Sequence, residues 1–184
     1  MEDFLENFYG VLFSPDATFN KLKENTPLLQ GFFIVIFISL LNPILHFNQD
    51  SGFFWLIFNI FGSITSGIIS WLFFASFLEI LASVFKQSGK MRIFLTLSAF
   101  ALIPWILRAP VELFKAAGMP GSVLSVLLGL AIWFWAVYLF LMAIIKSYEL
   151  SLSRALVLTV TIFLAGLLAF NWIAGFFSTL FSLL

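Results

Sequence analysis

"FFWLIFNIFGSITSGIISWLFFASFLEILASVF", Phe53 to Phe85, is a run of apolar and small residues with a single ionisable group, Glu79. At 1.5 Å per residue one helix of this length would reach roughly 50 Å, against about 30 Å of bilayer hydrocarbon. The run must therefore tilt steeply or divide. We read Phe53 to Phe61 as an aromatic stretch lying at the interface or leading obliquely in, and Ser63 to Phe85 as a span. A separate crossing inside Phe53–Phe61 would be too short, which favours five spans over six.

Working outward, residues 28–47 form a span before this run, closed by the polar Asn48, Gln49, Asp50 and Ser51. Residues 93–114 form the next span after it, with Pro104 as a kink and Pro110 as a restart. Residues 123–145 form the fourth. Residues 154–184 form a fifth that is too long for an upright helix, so its end is expected to tilt or bend onto the surface. The composition agrees: 62% of the 184 residues are hydrophobic, 10% are charged, and the mean hydropathy is +1.10. A soluble domain carries about 25% charged residues. The fold class is thus an all-α integral membrane protein, a five-helix bundle (28–184) preceded by a short amphipathic helical leader (1–27).

Cysteine is absent, which removes disulfides, thiolate nucleophiles and Cys-based metal sites. The net charge is zero, so no nucleic-acid partner is expected. The acidic start (Glu2, Asp3, Glu6), with the first long apolar run only from Leu28, does not fit a cleavable signal peptide. With the N-terminus in the cytosol, one side collects Lys21, Lys23, Lys86, Lys90, Arg92, Lys146 and Arg154, and the other only Arg108 and Lys115. That asymmetry predicts a cytosolic N-terminus and a C-terminus outside.

Within the leader, Phe4, Phe8, Val11 and Leu12 recur at helical spacing. Ser14 reads as an N-cap, Pro15 as the first helical residue and Asp16 as an acid at the positive end of the dipole. Phe19 and Leu22 give this second helix an apolar edge. Glu2, Asp3, Glu6, Asp16 and Glu24 outweigh Lys21 and Lys23, so docking must come from phenylalanines rather than from attraction to anionic lipid. The leader either caps the first span or docks a partner.

Three anchors occur in order: "FYGVLFSPDATFNKL" before the first span, "GKMRIFLTLSAFALIPWIL" opening the third, and "YELSLSRAL" opening the fifth. Together they resemble the Yip-domain (Ypt-interacting protein) family in its short bacterial form. The resemblance covers nearly the whole chain. It implies a Phe/Pro-containing cytosolic leader (Pro15, Phe19), a proline in the third of five spans (Pro104), and an Arg-Ala pair before the last (Arg154, Ala155). The eukaryotic branch has a long cytosolic tail and binds Rab-type GTPases during vesicle traffic. With about 27 residues ahead of the first span, no vesicle role is expected here. The bacterial branch implies the inner membrane and, in some members, partnership with transporters.

Several residues could carry chemistry. Glu79 inside a span costs at least ~2.5–3.5 kcal/mol if placed centrally and needs a partner, such as a nearby lysine, or a polar cavity. It shares a helix face with Ala75, Ser76, Ala82, Ser83 and Lys86. Arg108, Glu112 and Lys115 fall at i, i+4, i+7. Such pairing is worth only about 0.2–0.5 kcal/mol when exposed, and Arg108 could also contact lipid phosphate. His46, the one histidine, with Asn48 and Asp50 falls short of a three- or four-ligand zinc set, so no metal or cofactor is expected. Any Ser-His-acid triad would need that same His46, and no phosphate-binding glycine loop occurs. No enzymatic activity is expected.

Small residues at Gly62, Ser66 and Ser70, at Ala165 and Ala169, and the stripe Asn171, Gly175, Ser178 and Ser182 predict helix contacts within the bundle, or a homodimer face. Two functional readings follow. In the first the protein is an accessory or scaffold subunit for a membrane complex such as an ABC transporter, engaging it through Pro15, Phe19, Lys21, Lys23, Lys90, Arg92 and Arg154. In the second the bundle handles a lipid or small solute, as a transporter or scramblase-like protein, through Glu79. Membrane lipids are partners in either case.

Overall fold

A computed structural model describes residues 2–45, 52–162 and 164–166. Two leader helices come first, α1 (Glu2–Phe13) and α2 (Pro15–Asn25), followed by α3 (Leu28–Leu45), α4 (Phe53–Val84) and α5 (Met91–Ala101). Then come a 3₁₀ turn (Ile103–Leu107), α6 (Arg108–Leu113), a second 3₁₀ turn (Phe114–Ala117) and α7 (Gly118–Tyr148). A further apolar helix, α8, covers Leu152–Gly166. Four stretches are long and apolar enough to cross a membrane: Leu28–Leu45, Phe53–Val84, Met91–Leu113 and Gly118–Tyr148. The expected span 154–184 lies largely outside the described residues.

The Phe53–Phe85 run does not divide. It forms one 32-residue helix that continues through Gly62. A lone glycine costs a helix about 1 kcal/mol relative to alanine, too little to end it where no proline follows. Proline does end the third apolar stretch. Pro104 has no N–H to donate and clashes with the preceding turn, and α5 stops at Ala101 and gives way to the 3₁₀ turn that contains it. The helix resumes at Arg108 with Pro110 in its first turn, where a missing N–H costs nothing. The fourth helix is longer at both ends than the expected 123–145.

α5 sits centrally: every residue from Phe94 to Ala101 is buried. α3 packs against α4 and α5, and α7 against α5. The core joins Phe94, Leu97, Phe100, Leu139 and Ile144 of α5 and α7 to Val11, Phe19 and Leu22 of the leader. The leader is therefore part of the core rather than a tether. The Ser14 side chain caps nothing; its carbonyl accepts from the N–H and hydroxyl of Thr18. α8 begins beside the end of α4, with the Arg154 guanidinium 6.0 Å from the Phe85 ring centre. Its Ile162, Ala165 and Gly166 share a cleft with Phe73, Phe74 and Phe77, so α8 runs back along α4.

The small residues of α4 contact their neighbours on a different face from the expected one. Gly62, Ser66 and Ser70 are exposed among the described residues. Ser63 and Gly67, one position on, meet α3 instead. The Ser63 hydroxyl donates to the Ser39 carbonyl at 2.6 Å, and a Cβ on Gly67 would lie 2.1 Å from Ser39 Oγ and 3.2 Å from its Cβ. Gly67→Leu should therefore force α3 and α4 apart and cost about 1–3 kcal/mol. Gly62→Ala, whose Cβ meets nothing, should be neutral or mildly stabilising. Thermal unfolding of the two variants in detergent checks both; equal stability would remove the close approach at Gly67.

Candidate functional site

The charged residues of this apolar chain gather at the end of the bundle where α4, α5, α7 and α2 meet. The ends of α4 and α7 are built alike. After each helix a non-glycine residue adopts the left-handed conformation, Lys86 at φ 58° and Glu149 at φ 54°. The next N–H then returns to the last turn: Gln87 donates to the Ala82 carbonyl at 3.1 Å and Leu150 to that of Ile145 at 3.3 Å. Glycine is the usual occupant of that position, and an L-residue gives up roughly 1–2 kcal/mol there.

At Glu149 the side chain carries two ion pairs. Its carboxylate takes Lys23 Nζ of α2 at 2.6 Å on Oε1 and Lys90 Nζ at 3.2 Å on Oε2. Asp16, at the start of α2, pairs with Lys146 of α7 at 2.7 Å. Lys21 pairs with Glu6 of α1 at 2.8 Å. Two ion pairs thus hold α2 to the end of α7, and a third, Lys90–Glu149, ties that end to the loop before α5, over a base formed by Phe19 and Leu22, which are essentially fully buried.

Glu79 lies just beneath. Its partners are not the expected lysine. The Tyr148 hydroxyl donates to Oε2 at 2.8 Å, and the N–H of Gly89 donates to Oε1. Gly89 holds φ +84°, which lets the loop turn its N–H onto the carboxylate. One acid thereby ties α4, the loop 85–90 and the last residue of α7. Tyr148 is fully buried, with its ring 5.8 Å from that of Phe94.

The residues singled out in the sequence fall into five groups. Phe19 is core, and Pro15 opens α2 half-buried. Lys21, Lys23 and Lys90 are engaged in ion pairs. Arg92 and Arg154 are exposed and form no ion pair among the described residues, as is the case for Lys86. Arg108, Glu112 and Lys115 stand at the far end of α7 from this cluster. They form the expected row, Arg108 Nε lying 3.6 Å from Glu112 and Lys115 pairing with the same carboxylate. His46, Asn48, Asp50, Ala169, Asn171, Gly175, Ser178 and Ser182 lie outside the described residues. Glu149, Tyr148 and Gly89 escaped the sequence reading; a lone acid between Lys146 and Arg154 was the available signal for Glu149.

A family description of the Yip1 domain matches residues 9–173. The chain belongs to the Yip1-domain family. The match begins inside α1, so α2, the residues Asp16, Lys23, Glu79, Lys90, Lys146 and Glu149 of the charged cluster, and the proline-broken third passage lie within the Yip1 domain. Neither a curated protein nor a solved structure matches the chain.

Hydrogen bonds from Lys23 and then Lys90 hold the Glu149 carboxyl below the ordinary glutamate value of 4.5. A depressed carboxyl stabilises the docked leader above that value and loses its contribution as the pH falls through the lowered one. Acidification below 4.5 should thus loosen α2, and Glu149→Gln should loosen it already at neutral pH. Spin labels at Glu24→Cys and Gln87→Cys, in a chain without native cysteine, read the distance. An unchanged distance in Glu149→Gln would show that this pair does not hold the leader. For Glu79, Gln keeps one acceptor oxygen for the Gly89 N–H, and the Tyr148 hydroxyl can turn to accept from the amide, so the change should be tolerated. Glu79→Ala removes the acceptor of both the Tyr148 hydroxyl and the Gly89 N–H and should cost about 1–3 kcal/mol, a loss that shrinks in a Tyr148→Phe background; additive losses would contradict the pairing.

Proposed function

We propose that this Yip1-domain protein is a non-catalytic, multi-pass subunit of the bacterial inner membrane that serves as an accessory or scaffold for another membrane complex, an ABC transporter being the expected class. In this reading the chain crosses five times, the fifth passage beginning in α8. The amphipathic leader faces the cytosol and the C-terminus lies outside. The single observation carrying the reading is the end-face itself. A leader fixed by buried aromatics and ion pairs is ringed by Lys86, Arg92 and Arg154, exposed cations without an ion-pair partner among the described residues. Charges held on a rigid frame and left unpaired suit recognition of an acidic protein surface.

Phe19 contributes from beneath, by holding α2 in place, while Lys86, Arg92 and Arg154 make the contact. The alternative, lipid or solute handling through Glu79, is less supported because both carboxylate oxygens are engaged within the protein.

Affinity purification from native membranes, with mass spectrometry of what remains bound, tests the proposal. A stoichiometric membrane complex is expected with the full chain. It should be lost on deletion of residues 1–25 and reduced roughly tenfold or more by Arg92→Glu with Arg154→Glu, since a like-charge contact costs several kcal/mol. Retention of the same partner by both variants would overturn it.

A further inference from the structure

The polar end-face leaves unused a sizeable apolar cleft. It has a volume of about 550 Å³ and lies between the end of α1, the proline-broken third passage and α7. Leu12 and Phe13 form one wall, Pro104 and Pro110 a second, and Ile132 and Trp135 a third. Its origin is local. Pro104 ends α5, a 3₁₀ turn at Ile103–Leu107 precedes the restart at Arg108, and this stretch, the end of α1 and one face of α7 together line the cleft.

Water does not fill such a space, because each molecule needs two to four polar partners, and the lining offers hardly any beyond the Trp135 indole N–H. Left empty, the walls would forgo their dispersion contacts. Phe13 also projects 79% exposed, with Phe114 43% exposed beside the same cleft. The occupant must be long, apolar and available from the side.

The rim says which molecule. Leu107, Pro110, Val111 and Phe114 line the cleft. Arg108, Glu112 and Lys115 stand one position further round the same stretch, about 100° away. Glu112 is shared by both cations, so the row retains one positive charge. The two cationic side chains remain 45% and 54% exposed. Arg108 is further steadied over the Trp105 ring, 6.0 Å from its centre. A guanidinium held this way suits a phosphate oxygen pair, and basic residues beside apolar grooves select anionic head groups.

We infer that the cleft is a binding site for an anionic phospholipid, one acyl chain lying between the leader and α7 and the head-group phosphate lying against Arg108 and Lys115. The lipid then acts as the missing wall that joins Leu12 and Phe13 to the bundle. This site does not rest on the partner reading, which concerns the cations at the other end of the bundle, although the leader contributes to both.

The test uses the full chain in nanodiscs of phosphatidylcholine containing a minor fraction of phosphatidylglycerol. Bromine is carried on the acyl chains of one lipid or the other, and tryptophan quenching is read. Brominated phosphatidylglycerol should quench with an apparent affinity roughly fivefold above that of brominated phosphatidylcholine, the preference one net positive charge gives. Trp135→Phe should remove the excess, and Arg108→Gln with Lys115→Gln should bring the two lipids level. Ala131→Phe, which fills the cleft, should reduce quenching by both, and it decides the matter if the double variant loses helix content. Equal quenching by the two lipids in the wild type, an excess that survives Trp135→Phe, or quenching unchanged by Ala131→Phe would overturn the site.

Discussion

The structure depends on how an apolar chain satisfies the few polar groups it cannot place in hydrocarbon. Membrane-spanning helices close their own backbone hydrogen bonds but leave their last carbonyls and any buried acid to be dealt with at the ends. Here one end handles both together. Glu79 accepts from Tyr148 and Gly89, Glu149 holds Lys23 and Lys90, and Asp16 meets Lys146. These groups are useful only because Phe19 and Leu22 place α2 over them. The leader, the loop 85–90 and the end of α7 consequently form one unit, and the polar opening of an otherwise oily protein is its lid rather than an appendage.

That arrangement gives the two ends of the bundle different characters. The end closed by the leader carries four of the six ion pairs among the described residues, together with the exposed cations Lys86, Arg92 and Arg154, a chemistry suited to protein surfaces. Beside the middle of α7 the proline-broken third passage leaves an apolar cleft, with a small basic row towards the start of that helix, a chemistry suited to lipid. α1 touches both: its Val11 enters the core shared with α2, while Leu12 and Phe13 face the cleft. A change in lipid occupancy would therefore be felt by the segment that also frames the charged end.

How much was legible in the sequence depended on range. Pro104 announced its own break, because a missing N–H and a ring clash act within one turn. The apolar stretches declared membrane helices for the same reason, and Arg108, Glu112 and Lys115 paired as local spacing requires. Glu79 did not reveal its partner, since Tyr148 is 69 residues away and nothing local marks a tyrosine as a donor to an acid. The α3-facing side of α4 was misjudged by one position, Ser63 and Gly67 rather than Gly62 and Ser66. In a helix apolar all round, periodicity indicates a repeat but not which side meets a neighbour. Glu149 was hidden because its role rests on a left-handed backbone that side-chain patterns do not encode.

The central claim is that α2 belongs to the folded core. Hydrogen–deuterium exchange of the full chain in lipid nanodiscs tests it most directly. If Phe19 and Leu22 are core residues, the amides of residues 18–22 should exchange on the timescale of those in Phe94–Ala101, many orders slower than a free peptide, because both open only with the bundle. Exchange of α2 at the free-peptide rate while α5 remains protected would contradict the account and reduce the leader to a tether.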